Sequence, residues 1–139
     1  MGGPRGVMIS DASCRDDMAF RLKGYVKLCA TILVIGESLD SYSTIVVFLN
    51  HGNRFVEVGN IAIKYFMYSL GSDLSGLLFG LFVTWFLEFL LILLAFYCTR
   101  PTSVMGLSIS PLLSLLMALY GVGHFYGCMV NLTGLAKPA

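Results

Sequence analysis

Charged side chains are scarce in this sequence. Only 12% of its 139 residues are Asp, Glu, Lys or Arg, whereas soluble domains usually carry about a quarter. The formal net charge is +1, and no basic stripe with interleaved aromatic residues is present, which argues against nucleic acid as a partner. Since 57% of the residues are hydrophobic and lie in runs too long for one small soluble core, the sequence predicts an integral membrane protein.

Catalytic motifs are missing as well. The sequence contains no GxSxG, HExxH, Walker loop or GxGxxG pattern, and no polar segment large enough to hold a substrate. Its four cysteines form no CxxC pair, so neither a metal site nor a disulfide framework follows from them. We therefore expect a protein that is not an enzyme and that binds no metal or cofactor, apart from bound lipids.

Three long apolar runs separated by polar turns predict the membrane-spanning helices. They cover about residues 25–49, 74–98 and 104–130, within a transmembrane bundle over residues 25–130. The segment 55–71 is ambiguous, because a helix of this length reaches only about 25 Å, less than the roughly 30 Å of hydrocarbon. It is either an interfacial helix or a short fourth span. The predicted fold class is therefore all-α, a bundle of three or four transmembrane helices.

Polar segments flank this bundle. Residues 1–24 are predicted to form a polar tail and a short amphipathic surface helix, because Met18, Leu22 and Val26 recur at helical spacing. Five of the nine lysines and arginines lie at or before residue 27, which places the N-terminus on the cytoplasmic, matrix or stromal side. Residues 131–139 form a short C-terminal tail, whose side of the membrane depends on the number of spans.

Three carboxylates interrupt the apolar runs. Asp40 follows Glu37 by about one helical turn, and Glu88 lies near the centre of its own run. His124 lies about 10 Å from the centre of the last run. An ionised carboxylate at the bilayer centre costs at least about 2.5–3.5 kcal/mol, so each must be paired, protonated or facing water. We expect His124 to serve one acid at most, so the deep acids outnumber the deep bases.

Two explanations for this excess of acids remain open. Either cations or hydrogen-bond donors come from another subunit, or the acids take protons in turn, as in a proton or cation path. Simple protonation, or hydrogen bonding to neighbouring helix hydroxyls, is an equally good interpretation for Glu88 alone. It is less favoured for Glu37 and Asp40, because two acids one turn apart repel each other when both are charged.

Small residues recur at four-residue spacing on two of the apolar runs. Such faces let helix backbones approach closely, and this packing drives helix association in lipid. Packing between helices of this chain explains these faces as well as contact with a partner does. However, a bundle this small has two of them, which favours the interpretation that at least one faces another protein. The residues are Gly76 and Gly80 in the second run, and Gly106, Ser110, Ser114, Ala118, Gly123 and Gly127 in the last.

These features favour a non-catalytic accessory or structural subunit of a larger membrane complex. The expected partners are the lipid bilayer and other membrane subunits. The expected host is an energy-transducing complex of an organelle, with the mitochondrial inner membrane as first choice. This expectation depends on how common such complexes are and not on any residue of this chain. The alternative is a small oligomeric transporter or channel that uses Glu37, Asp40 and Glu88 as a proton or cation path. An assembly factor or lipid-shaping protein is a weaker third hypothesis.

Overall fold

The computed structural model describes residues 5–51, 61–70, 74–102 and 104–133, and these form helices and turns without any strand. Of the four helices, the first, third and fourth are long and apolar enough to cross a membrane. The fold class predicted from the sequence, an all-α membrane bundle, is confirmed. The helices are α1 (Arg5–His51), α2 (Ile61–Ser69), α3 (Leu74–Cys98) and α4 (Val104–Leu132).

Helix α1 is continuous over 47 residues. The sequence predicted a surface helix before residue 25 and a separate span after it, but the structure has no break between them. The reason is that no proline lies in this range, and Gly24 costs only about 1 kcal/mol in a helix, too little to end it. The helix is about 70 Å long, more than twice the hydrocarbon thickness. Its projecting N-terminal part carries an exposed ion pair, in which Arg21 Nη2 lies 3.1 Å from Asp17 Oδ2.

Helix α2 packs against the first part of α3 through two glycines. A Cβ atom on Gly76 would lie 2.8 Å from the Cα atom of Met67, and one on Gly80 would lie 2.6 Å from the Cα atom of Ile63. As described, α2 has nine residues, about 14 Å, which is too short to cross a membrane. It covers only part of the predicted segment 55–71; Leu70 follows it in a turn, and residues 55–60 and 71 lie outside the described residues.

Helices α1 and α4 run parallel and form the most extensive helix pair of the bundle. They touch at Gly36 and Gly121, where a Cβ atom on Gly36 would lie 2.5 Å from the carbonyl oxygen of Gly121. Further along both helices, Gly127 lies against the Asp40 carboxylate. Both glycine contacts lack the side chain that would hold the helices apart, so α4 lies close to α1.

Two apolar clusters fill the bundle on either side of a polar layer. Helix α3 runs antiparallel to α1, so residues late in α3 pack against residues early in α1. The N-side cluster, named for its position nearer the start of α1, consists of Val26, Ala30, Leu33, Ala95 and Met117. The C-side cluster consists of Val47, Phe48, Ile63, Met67, Leu77 and Leu81. The polar layer between them contains residues 37–44 of α1.

The outer faces of the long helices are apolar. Large hydrophobic side chains such as Phe82, Phe86 and Leu119 are more than half exposed. Phe82 and Phe86 stack with ring centroids 6.4 Å apart on the outside of α3. In an aqueous protein such surface would drive aggregation, whereas here it is consistent with contact with lipid.

Candidate intramembrane carboxylate–histidine site

Three carboxylates from two helices meet one imidazole from a third. On α4, His124 Nδ1 lies 2.9 Å from Glu37 Oε2 and 3.0 Å from Asp40 Oδ2, both on α1. On the other edge of the ring, His124 Nε2 lies 2.7 Å from Glu88 Oε1 of α3. The structure thus brings together all four residues that the sequence indicated as a polar path. The expectation that His124 serves one acid at most is wrong, because its two nitrogens face carboxylates in opposite directions.

The site is buried inside the bundle. The exposed fraction of the side chain is 2% for Glu37, 9% for Glu88 and 12% for His124. Asp40 is the most open member, at 20%. Charges buried to this degree are screened far less than surface charges, so their interactions are strong and their separation from water is costly.

Small residues on α4 make room for the acids of α1. Gly121, His124 and Gly127 are spaced by three residues and share one helix face. A Cβ atom on Gly127 would lie 2.7 Å from Asp40 Oδ1. The contact between Gly36 and Gly121 lies one residue before Glu37 in α1. The close approach of the two backbones therefore allows the short side chains of the α1 acids to reach the imidazole.

The outer oxygen of Glu37, Oε1, accepts a hydrogen bond from Ser41, which accepts one from Trp85 in turn; the sequence analysis missed both residues. Ser41 Oγ donates to Glu37 Oε1 at 2.9 Å, and Trp85 Nε1 of α3 donates to Ser41 Oγ at 3.1 Å. Helical spacing is the signal that could have found them. Ser41 lies four residues after Glu37, and Trp85 lies three residues before Glu88, so each shares a face with an acid.

Asn131 joins the end of α4 to the Asp40 region of α1. Its Nδ2 atom donates to Thr44 Oγ1 at 2.9 Å and to Ser43 Oγ at 3.0 Å, and it lies 3.3 Å from Asp40 Oδ1. An amide group has two hydrogens for these three acceptors, so the bonds share them. Asn131 lies seven residues after His124 and therefore on the same helix face, which is the sequence signal that could have found it.

The small-residue faces predicted from the sequence pack mostly against other residues of this chain. Gly76 and Gly80 pack on α2, and Gly127 packs on Asp40. Gly123 differs, because a Cβ atom there would meet nothing within 4 Å. These contacts explain the faces without another subunit. The remaining residues of the α4 face are buried (Gly106, Ser110 and Ser114) or half-buried (Ala118).

The site carries more negative than positive charge. Among the described residues, the ion pairs of Glu37, Asp40 and Glu88 all go to His124. Three ionised carboxylates and one imidazolium have charges of −3 and +1, which leaves −2. Because each unpaired carboxylate costs at least about 2.5–3.5 kcal/mol deep in a bilayer, the site favours additional positive charge, from protons or from a bound cation.

Polar contacts lead from the site toward one end of the bundle. Asp40, the most exposed of the acids, contacts Asn131, which lies one residue before the end of α4. In the other direction the N-side cluster closes the bundle, since Val26, Leu33 and Met117 are fully buried there. The contact with Asn131 therefore extends the polar layer from the site toward the end of the bundle at which α1 and α4 finish.

The arrangement also contains the donor atoms of a possible metal site, which the sequence did not predict. Glu37, Asp40 and His124 offer two carboxylate oxygens and an imidazole nitrogen, all within 4.8 Å of one another. Asp40 and His124 are 84 positions apart in the chain, so no local motif links them. The four cysteines are free thiols and are not part of this group.

Comparisons with protein-family models, with curated proteins and with solved structures find no match to this chain. No function can therefore be carried over from a relative. The function of this chain is inferred from the geometry, burial and charge of the site itself.

Proposed function

We propose that this protein is a small membrane transporter or channel that takes up a cation, either a proton or a metal ion, at the carboxylate–histidine site. The observation that carries this proposal is the meeting of Glu37, Asp40 and Glu88 at one imidazole inside an apolar bundle. Ionisable residues at this depth are expensive, and in membrane proteins they mark ion pathways and proton relays.

A purely structural role is a weaker explanation of the cluster. Replacing buried ion pairs by well-packed apolar residues is often neutral or stabilising, so packing alone does not require three acids and a histidine. The excess negative charge instead favours a positively charged ligand. The polar contacts from Asp40 to Asn131 give such a ligand a direction of entry.

Transport requires that the site communicate with each side of the membrane in turn. With the N-side cluster packed, the site is closed toward the start of α1. Passage of a cation therefore needs a second state in which Leu33 and Met117, both fully buried here, separate. Alternating access of this kind is a common principle of small transporters.

The accessory-subunit hypothesis remains a prediction. One of its arguments, a small-residue face left over for a partner, is weakened because these faces pack mostly against this chain's own residues. Purification in mild detergent tests it directly. Foreign subunits that co-purify stoichiometrically would support it, and a monodisperse homo-oligomer without them would refute it. The organelle and the side of the N-terminus remain predictions too.

Reconstitution of the full chain into liposomes tests the transport proposal. We expect flux of protons or divalent metal ions, measured with internal dyes, to fall at least about tenfold in Glu37→Gln and in Glu88→Gln, because each removes a charge that the site needs. Ser38→Ala is the matched control on α1, since Ser38 is exposed and donates its hydrogen bond to the carbonyl of Val34 in its own helix. Absence of flux, or equal flux in all variants, would refute transport.

A further inference from the structure

We propose that the cation taken up at this site is a divalent first-row transition-metal ion, with Glu37, Asp40 and His124 Nδ1 as its ligands. This inference rests on the proposed function, because it names the cation of the same site. Such a site requires three donor atoms close enough to bind one ion, donor atoms of a type that the ion prefers, and neighbouring side chains that orient each ligand. The described residues meet these requirements.

The three donor atoms lie within 4.8 Å of one another. Glu37 Oε2 and Asp40 Oδ2 lie 2.9 and 3.0 Å from His124 Nδ1. With metal bonds of about 2.0–2.1 Å, neighbouring ligand atoms in a tetrahedral zinc site are about 3.3 Å apart. An ion between them therefore requires each oxygen to move outward by a few tenths of an ångström. Side-chain rotation supplies such a movement without a shift of the helices.

The donor chemistry selects the class of ion. Carboxylate oxygens alone would suit calcium or magnesium, but an imidazole nitrogen suits zinc, iron, nickel or copper. Thiolates, which would favour copper(I), are not among the grouped donors. One nitrogen and two oxygens therefore favour a borderline divalent ion such as Zn²⁺ or Fe²⁺. Three protein ligands also leave a position for water, as in exchangeable metal sites.

Glu88 holds the imidazole in the form that a metal ion needs. Coordination through Nδ1 leaves the ring proton on Nε2, and Nε2 lies 2.7 Å from Glu88 Oε1. Donation of the second ring N–H to a carboxylate is the usual arrangement of metal-binding histidines, where it fixes the tautomer and the ring orientation. Glu88 is thus a positioning residue that acts through His124.

The two carboxylate ligands have their own positioning residues. The outer oxygen of Glu37 accepts a hydrogen bond from Ser41, and the outer oxygen of Asp40 lies within reach of the Asn131 amide. Each of the three ligands is therefore oriented by a side chain outside the ligand set. A divalent ion also improves the charge balance: three carboxylates, a neutral imidazole and one M²⁺ give −1, whereas the imidazolium form without metal gives −2.

Metal binding by the purified full chain tests this inference. The protein in detergent is stripped with EDTA and titrated with Co²⁺, whose visible absorption reports low-coordinate sites, and Zn²⁺ then competes for the site. We expect one ion per chain, displaced by Zn²⁺ because a low-coordinate tetrahedral site suits zinc. A near-ultraviolet thiolate charge-transfer band would instead indicate binding to cysteine.

Variants distinguish ligands from positioning residues. Asp40→Asn and His124→Gln remove ligands and are expected to weaken binding by roughly 100-fold or more. Glu88→Gln is expected to weaken it by about 10–100-fold, the usual effect of losing an outer partner. Asp17→Asn is the control, since Asp17 is exposed and pairs with Arg21. Circular dichroism checks that each variant is folded. If a variant does not fold, the number of ions bound per wild-type chain still tests the inference.

The outcomes separate this inference from the proposed function. Folded wild-type protein that binds no Co²⁺ or Zn²⁺ at one ion per chain overturns the metal inference, and so does equal binding in all variants. If that protein still conducts protons in liposomes, the transport proposal stands without the metal. If it binds metal but shows no flux of any cation, the metal site stands and transport is refuted.

Discussion

A Cβ atom on Gly36 would lie 2.5 Å from the carbonyl oxygen of Gly121, so α1 and α4 touch backbone to backbone at this point. The contact lies one residue before Glu37 and three residues before His124. It therefore sets the separation of the two helices where they contribute these two members of the polar site. Close packing of this kind is a main source of helix association in lipid.

Gly36→Ala is expected to destabilise the bundle. The added methyl group meets backbone atoms, which cannot rotate away, so the helices must separate, at a cost of about 1–3 kcal/mol. Gly24→Ala is the matched control on the same helix, because a Cβ atom there meets nothing within 4 Å. Unfolding in detergent, followed by circular dichroism, measures both. Equal free energies of unfolding for the two variants would contradict the described helix contact.

Gly127→Ala is expected to damage the site more than the fold. The atoms in its way are the carboxylate oxygens of Asp40, at 2.7 and 2.9 Å, and a side chain can move aside. Its movement takes Asp40 away from His124, so cation flux or metal affinity should fall at least about tenfold. Gly123→Ala, one turn earlier and facing open space, should leave both unchanged. A loss of function in Gly123→Ala of the same size would refute this mechanism.

Asn131→Asp is expected to lower the free energy of unfolding by about 1–3 kcal/mol, since it removes half-buried hydrogen-bond donors. The new carboxylate has the shape of the amide but places negative charge beside Asp40 and cannot donate to Ser43 or Thr44 while ionised. Asn50→Asp, at an exposed position of α1, serves as the control. Chemical denaturation in detergent compares them, and a neutral effect of Asn131→Asp would be inconsistent with the described hydrogen bonds.

Trp85 is expected to report occupancy of the site. It is the only tryptophan, and its indole N–H bonds Ser41, which in turn bonds Glu37. A cation at Glu37 changes the electric field at the indole, so Zn²⁺ should change the fluorescence of the stripped protein. Ser41→Ala should remove most of this change, whereas Ser38→Ala should preserve it. A response unaffected by Ser41→Ala would mean that the signal has another origin.

The termini are expected on opposite sides of the membrane. Helices α1 and α4 are parallel, α3 is antiparallel to them, and the described part of α2 is too short to cross. Protease accessibility of terminal tags in sealed vesicles measures this. Cleavage of both tags from the same side would require a further crossing and would contradict three spans.

The sequence predicts the parts of this bundle better than their assembly. Apolar runs identify the spans, and the one-turn spacing of Glu37 and Asp40 places both acids on one face of α1. The meeting of these acids and Glu88 at His124 depends on the register between helices, which periodicity within one helix does not determine. The same limit applies to Asn131, which the sequence predicts to lie in the C-terminal tail although its hydrogen-bond partners lie on α1.

The boundary of the first span was harder to predict for a local reason. Charged residues precede residue 25 and apolar residues follow it, and this change in composition resembles the end of one element and the start of another. A helix ends only where its backbone hydrogen bonds do, and neither Gly24 nor its neighbours interrupt them. Composition therefore marks where α1 enters the apolar layer, not where it begins.

Among the residues that the structure describes, the imidazole of His124 contacts acids from both other long helices. Any ligand that enters the site and prefers the assembled bundle over separated helices must raise the melting temperature of the purified protein, by an amount that grows with its concentration and affinity. A thermal-shift screen of cations would thus identify the preferred ion without any assumption about transport. The same screen on His124→Gln would show which responses arise at this site.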